Sequence, residues 1–135
     1  MTTKTHTLNL STTQKTQWLD ITASLQSLVD ISGIQTGEMF LFVPHTTAAV
    51  TLNEHVDPDV RHDMTLGLNE VFYEKNTFLH AEANSHAHIK SSLIGTDQML
   101  LIDEGSLVLG TWQGVYFCEF DGPRTRRLVV RLRGH

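Results

Sequence analysis

The chain has 135 residues and a mass of 15.2 kDa, enough for one domain spanning 1–135 with its own buried core. Apolar residues make up 40% and charged residues 19%, a balance that excludes a disordered chain. Ten basic residues against 15 acidic ones give −5, which argues against a general nucleic-acid binder. No apolar run approaches the roughly 20 residues that span a bilayer, so no membrane partner is expected. The opening residues lack a hydrophobic signal core. The single Cys118 excludes both an internal disulfide framework and a multi-cysteine zinc site. A cytoplasmic location is the expectation.

Residues 3–10 alternate, with His6, Leu8 and Leu10 on one face, and predict a strand. Residues 20–32 carry Ile21, Leu25, Leu28 and Val29 at helical spacing; Asp20 or Thr22 can cap this helix and Gly33 can stop it. Gly37 to Val43 is a mostly apolar run that Pro44 interrupts, and Ala48 to Asn53 is the next short strand. Asp57-Pro58-Asp59 marks a helix start, and Val60, Met64, Leu68, Val71 and Phe72 carry the helix to about Glu74. A shorter helix is expected from near Ser85 to Leu93, closed by Gly95. Strands are expected at 98–103, at 106–119 with a break at Gly110, and at 126–133. In the last of these Leu128, Val130 and Leu132 face a core, while Arg127, Arg131 and Arg133 face out with Val129. The pattern predicts an α+β fold with mainly antiparallel sheets and helices packed against them. From Pro123 onward there are five arginines and no acid, leaving five basic residues against 15 acidic ones in the body. That basic end can meet acidic surface of its own chain or of a neighbouring subunit.

Eight histidines stand out. In His80-Ala-Glu82-Ala-Asn84-Ser-His86-Ala-His88 the polar side chains occupy alternate positions. An extended chain would put all five on one face, whereas a helix starting at Ser85 would place His86 and His88 in its first turn, where its dipole favours neutral imidazole. His45 follows Pro44 at a strand end, as a structural or a functional residue. Asn53 and Glu54 lie where a strand meets a helix start, a position open to capping or function. Gly110 and Gly114 bracket Trp112 and Gln113, which either fill a core or line a site. Glu119 ends an apolar strand and needs an arginine, histidine or metal as partner. The P-loop, dinucleotide, hydrolase-elbow and zinc-protease motifs are absent.

Five words, Pro44-His-Thr-Thr-Ala-Ala-Val-Thr-Leu-Asn-Glu54, Asp57-Pro-Asp-Val60, His80-Ala-Glu-Ala-Asn84, Ala87-His-Ile-Lys-Ser-Ser-Leu93 and Leu109-Gly-Thr-Trp-Gln-Gly-Val-Tyr116, resemble the YjbQ-like family, also called the secondary thiamine-phosphate synthase family. The likeness covers nearly the whole chain. It implies two small sheets packed as a sandwich with two to three helices on one side, assembled as a homotrimer. It also implies His45, His80 and His88 as shared site histidines, with Asn53, Glu54, Glu82, Asn84, Lys90, Gln113 and Glu119 nearby. Ala83 stands where glycine is often found, so a positive φ is not expected there, and His86 is an additional histidine.

The expectation that follows is a metal-assisted enzyme acting on a small phosphorylated substrate, joining a pyrimidine diphosphate to a thiazole phosphate. His45, His80 and His88 would hold zinc or a similar divalent ion, with magnesium as an option for a diphosphate. His45, Glu82, His88, Lys90 and Glu119 would be catalytic. Asn53, Glu54, Asn84, Ser91, Ser92, Trp112 and Gln113 would contact substrate. The alternatives are a non-catalytic trimeric metal- or anion-binding protein and a metal-dependent phosphoester hydrolase.

Overall fold

The computed structural model describes all 135 residues. Its elements in chain order are β1 (Thr2–Ser11), β2 (Gln17–Asp20), α1 (Thr22–Ser32), β3 (Gly37–Phe42), β4 (Ala48–Glu54), α2 (Pro58–Val71), α3 (Ser85–Ile94), β5 (Asp97–Asp103), β6 (Ser106–Leu107), β7 (Gln113–Glu119) and β8 (Thr125–Gly134). The fold is α+β, with two antiparallel sheets: one of five strands in the order β1-β8-β3-β5-β6, and one of three in the order β2-β7-β4.

Alternation decides which side chains meet. Leu128, Val130 and Leu132 of β8, Met39 and Leu41 of β3, and Leu100 and Ile102 of β5 turn inward from the large sheet. They meet Ala48, Val50, Val115 and Phe117 of the small sheet, and Leu25 and Val29 of α1 close the same core. The other face of the small sheet carries Trp18, Ala49, Tyr116 and Cys118. Ala87 of α3 and Met64 and Leu68 of α2 cover it. The small sheet is therefore buried on both faces, which accounts for the nearly unbroken apolar run Val115 to Phe120.

Several boundaries differ from the sequence reading. Residues 106–119 do not form one interrupted strand: β6 is two residues long, and 108–112 is irregular up to β7. Strand β2 was not foreseen; only four residues long, it pairs Gln17–Asp20 with Glu119–Tyr116. Asp20 does not take the N-cap position of α1, which falls to Ile21; its carboxylate instead accepts from the Thr22 N–H (3.0 Å) and hydroxyl (2.6 Å). In α2 the Asp57 side chain accepts from the Asp59 N–H at 2.9 Å, as the acid-proline start predicts.

One polar contact joins the two sheets inside this apolar frame. Arg126, on β8 in the large sheet, shares the inward phase of Leu128, and it forms an ion pair with Glu119 at the end of β7 in the small sheet. The Arg126 Nε donates to Glu119 Oε1 at 2.8 Å, and its Nη2 donates to Glu119 Oε2 and to Thr47 Oγ1. Thr12 Oγ1 (2.7 Å) and the Asp121 N–H (3.1 Å) also donate to the Glu119 carboxylate. Glu119 and Arg126 are both buried. Breaking such a pair from one side strands a charge, at a cost of about 3–5 kcal/mol. Glu119→Leu is therefore expected to lower unfolding free energy by that amount in urea titration, with the Glu119→Leu, Arg126→Leu double variant recovering part of it.

Candidate functional site

The Glu119–Arg126 end of the small sheet opens into a cleft of about 420 Å³ whose lining side chains are all polar except Pro44. Its wall brings together His45, His80, Glu82, Asn84, His88 and Arg126, with Arg124 at the rim. A second hollow shares His45, Thr46 and His88 and continues past Ser91 and Ser92 to Asp97. Five of the sequence-predicted residues, His45, His80, Glu82, Asn84 and His88, thus converge from three places: the segment after β3, the 72–84 connector and the first turn of α3. The His80 and His88 rings stand edge to face with centroids 5.5 Å apart.

The connector reaches this geometry through a left-handed residue. Ala83 has φ +58°, which corrects the expectation drawn from its missing glycine. The conformation costs an alanine roughly 1–2 kcal/mol. It turns the chain so that Asn84, now buried, donates from Nδ2 to Asp121 Oδ2 at 2.8 Å. Asp121 also accepts from Lys15 Nζ (2.5 Å) and Arg124 Nη2 (3.0 Å). Burial pushes its carboxyl up, but these bonds from Asn84, Lys15 and Arg124 more than offset that and hold it well below the usual carboxylate range. Asn84 Oδ1 is the one buried side-chain oxygen or nitrogen left without a partner.

His45 is fixed by the backbone of β8. The Arg127 N–H donates to His45 Nε2 at 2.9 Å. Since an amide nitrogen can only donate, Nε2 uses its lone pair there, and the neutral ring carries its proton on Nδ1. Burial, with Arg126 and Arg127 close by, keeps His45 below the usual histidine value, so the neutral form prevails at pH 7.

This arrangement overturns the expected metal centre. A neutral ring with Nε2 engaged and Nδ1 protonated has no lone pair to give a metal. No group of three or more His, Cys, Asp or Glu side chains stands in a metal-holding arrangement, and Arg124 and Arg126 add positive charge beside the histidines. The residues present do not fit a zinc or magnesium site.

Other predicted site residues lie elsewhere. Lys90 points away from the cleft: it is buried on the α2 side, donating to Asn69 Oδ1 at 2.6 Å, with His86 Nδ1 at 3.2 Å. Burial, and then Lys15, hold Lys90 below its ordinary value. His86, the additional histidine, faces that same side. Glu119 is enclosed by its ion pair and positions Arg126. Ser91 Oγ donates to the Ala48 carbonyl at 2.6 Å, a structural tie between α3 and β4. Asn53, Glu54, Trp112 and Gln113 gather at the opposite end of the small sheet, where Glu54 pairs with Gln113 while Ala48 pairs with Glu119. Six residues of strand separate the two ends, roughly 20 Å at about 3.3 Å per residue. Trp112 is 61% exposed and is not core packing, and Gln113 Oε1 accepts from the Gly110 N–H at 2.8 Å, closing the turn between them. Sequence reasoning missed Arg124, Arg126 and Asp121. Arg126 was visible as a cation in the apolar phase of β8; Asp121 carried no such signal.

The family profile described as UPF0047 protein YjbQ-like matches residues 6–135. The chain belongs to this family. It is 44% identical over 129 residues to the UPF0047 protein YugU of Bacillus subtilis, covering 95% of this chain and 98% of that protein. A UPF0047 protein of Methanocaldococcus jannaschii is 43% identical over 125 residues, covering 93% of this chain and 91% of that one. Among solved structures, an uncharacterized YjbQ/UPF0047 protein of Clostridium acetobutylicum shares 47% identity with a TM-score of 0.92, covering 95% and 99% of the two chains. A protein of unknown function from Sulfolobus solfataricus shares 31% identity with a TM-score of 0.94, covering 99% of each chain. These names carry no thiamine-phosphate synthesis and no metal-dependent activity. Together with the unsuitable donor set, they correct the expectation of a metal-assisted thiamine-phosphate synthase or phosphoester hydrolase. No helix is long and apolar enough to cross a membrane.

Proposed function

We propose that the histidine–arginine cleft binds, without a metal, a small polar molecule carrying an oxyanion next to a hydrogen-bond donor. The observation that carries this reading is the division of its lining. Arg124, Arg126 and the Nδ1–H of His45 supply donors, while Glu82 and the unpartnered Asn84 Oδ1 supply acceptors. Guanidinium groups recognise carboxylate or phosphate oxygens with charge-assisted bonds. A nearby hydroxyl or amine on the ligand would satisfy Glu82 and Asn84. Titration calorimetry of protein dialysed against a chelator, with malate and inorganic phosphate as separate probes, tests it. Saturable binding of malate that weakens at least tenfold, about 1.4 kcal/mol, in both Arg124→Met and Glu82→Gln is expected. Absence of binding by either probe, or binding only after zinc is added, contradicts the reading.

We propose further that the protein works as a cytoplasmic homotrimer joined through the outer face of the large sheet. Phe42, Met99 and Leu101 are 50%, 58% and 52% exposed on that face, and Val129 and Phe40 adjoin them. An apolar area of this kind on a sheet face is a usual site of association. Its arginines are only partly neutralised within the chain: Arg133 lies 3.5 Å from Glu38, while Arg131 donates to Thr5. Light scattering at moderate salt is expected to give three times the 15.2 kDa chain mass, falling to one in Phe42→Lys, Met99→Lys. A wild-type monomer at micromolar concentration rules this assembly out.

A further inference from the structure

The far end of the small sheet holds a second set of polar groups, built around His55. Its Nδ1 lies 2.8 Å from Asp20 Oδ2. Asp20 receives two further bonds, from the Thr22 N–H and hydroxyl. Burial raises its carboxyl, but the bonds from Thr22 and His55 more than offset this and hold it below its ordinary value. An ionised carboxylate only accepts, so Nδ1 of the neutral ring is the donor and the lone pair resides on Nε2. Nε2 has no hydrogen-bond partner within the protein.

The ring is held from three sides. The His55 N–H donates to the Trp112 carbonyl at 3.0 Å. Asp20 fixes Nδ1. Gly114 supplies the space the ring occupies, since a Cβ there would come within 2.2 Å of Nδ1. A preset imidazole with a carboxylate behind one nitrogen and a free lone pair on the other is the form that accepts a proton. In front of the pair lies a cleft of about 450 Å³, lined by Asp20, Thr22, Ala23, His55, Leu107 and Leu109. Gln26 also borders it, but its amide is committed to the Gly105 carbonyl, Asp30 and the Leu107 N–H. The cleft thus offers an apolar wall and one unsatisfied acceptor, unlike the predominantly polar cleft at the other end.

We propose that the Asp20–His55 pair and this cleft form a second site, which takes a small molecule presenting one O–H or N–H on an apolar body and draws that proton toward His55 Nε2. The proton leaves the ligand oxygen or nitrogen and bonds to Nε2. The bonding pair stays on the ligand atom, and the Asp20 carboxylate balances the imidazolium. Nothing is oxidised or reduced.

Diethyl pyrocarbonate, which carbethoxylates imidazole lone pairs, tests this in the full chain when each histidine is followed by peptide mass spectrometry. His62 serves as reference, because it also stands beside a carboxylate, 3.0 Å from Asp63, and is well exposed; the cleft it borders is mostly polar, with Trp18 and Leu66 the two apolar members of its lining. His55 is expected to react at least as fast as His62 although its side chain is only 25% exposed. Asp20→Asn is expected to slow His55 at least threefold and leave His62 unchanged. Millimolar phenol, an O–H on an apolar ring, is expected to protect His55 alone, whereas toluene is not. The rate comparison and the phenol protection need no variant, so they stand if Asp20→Asn does not fold. A His55 rate well below that of His62, no effect of Asp20→Asn on folded protein, or equal protection of both histidines by phenol each overturns the proposal.

Discussion

The buried contact between Glu119 and Arg126 ties the large sheet to the small one at a single corner, and the histidine cleft opens at that corner. Taking both charges out of water costs several kcal/mol each. Thr12, Thr47 and the Asp121 N–H offset that cost by filling the remaining hydrogen-bonding positions. Once Arg126 is anchored, the next residue of β8 presents its N–H to His45, and Asp121, two residues beyond Glu119, gathers Lys15, Asn84 and Arg124. His45, Asn84 and Arg124 are thus referred to the same ion pair. The acidic body and basic end of the chain meet, in large part, inside one molecule.

The strands of the small sheet also separate two kinds of chemistry. At the Ala48–Glu119 end the lining is polar but for Pro44 and carries two arginines. At the Glu54–Gln113 end a carboxylate-backed imidazole stands beside leucines. Residues that sit together in sequence therefore serve different ends: Asn53 and Glu54 follow His45 by less than ten positions, yet β4 carries them to the opposite edge. Lys90 and His88 are separated more simply, since residues two apart on a helix project in different directions.

Much of the fold could be read from the residues, because long alternating or helical periods leave few choices. The inward set Leu128, Val130 and Leu132 and the Asp57-Pro58 helix start are examples. Four-residue β2 escaped because Gln17–Asp20 is too short to show a period, and its place is set by pairing with β7. The convergence of His45, His80 and His88 was legible through family likeness, whereas their chemistry was not. That depended on a backbone N–H from residue 127, which no local pattern reveals. Glu119 was recognisable as an acid needing a partner, and Arg126 lies in the phase that supplies one. Ala83 shows the limit of reading conformation from residue type: surrounding bonds at Asn84 hold an alanine where glycine would be at ease.

On the metal-free reading, His45 meets the ligand as a neutral hydrogen-bond donor, with Nε2 committed to the Arg127 amide. Long-range proton–nitrogen correlation spectra of the histidine rings test it most directly. Expected are a protonated Nδ1 and an unprotonated, hydrogen-bonded Nε2 at pH 7, a ring that takes up its second proton only below the usual value of about 6.5, and no change at either nitrogen on adding zinc. An Nε2–H tautomer, or a His45 nitrogen that shifts in stoichiometric proportion to added zinc, would contradict it.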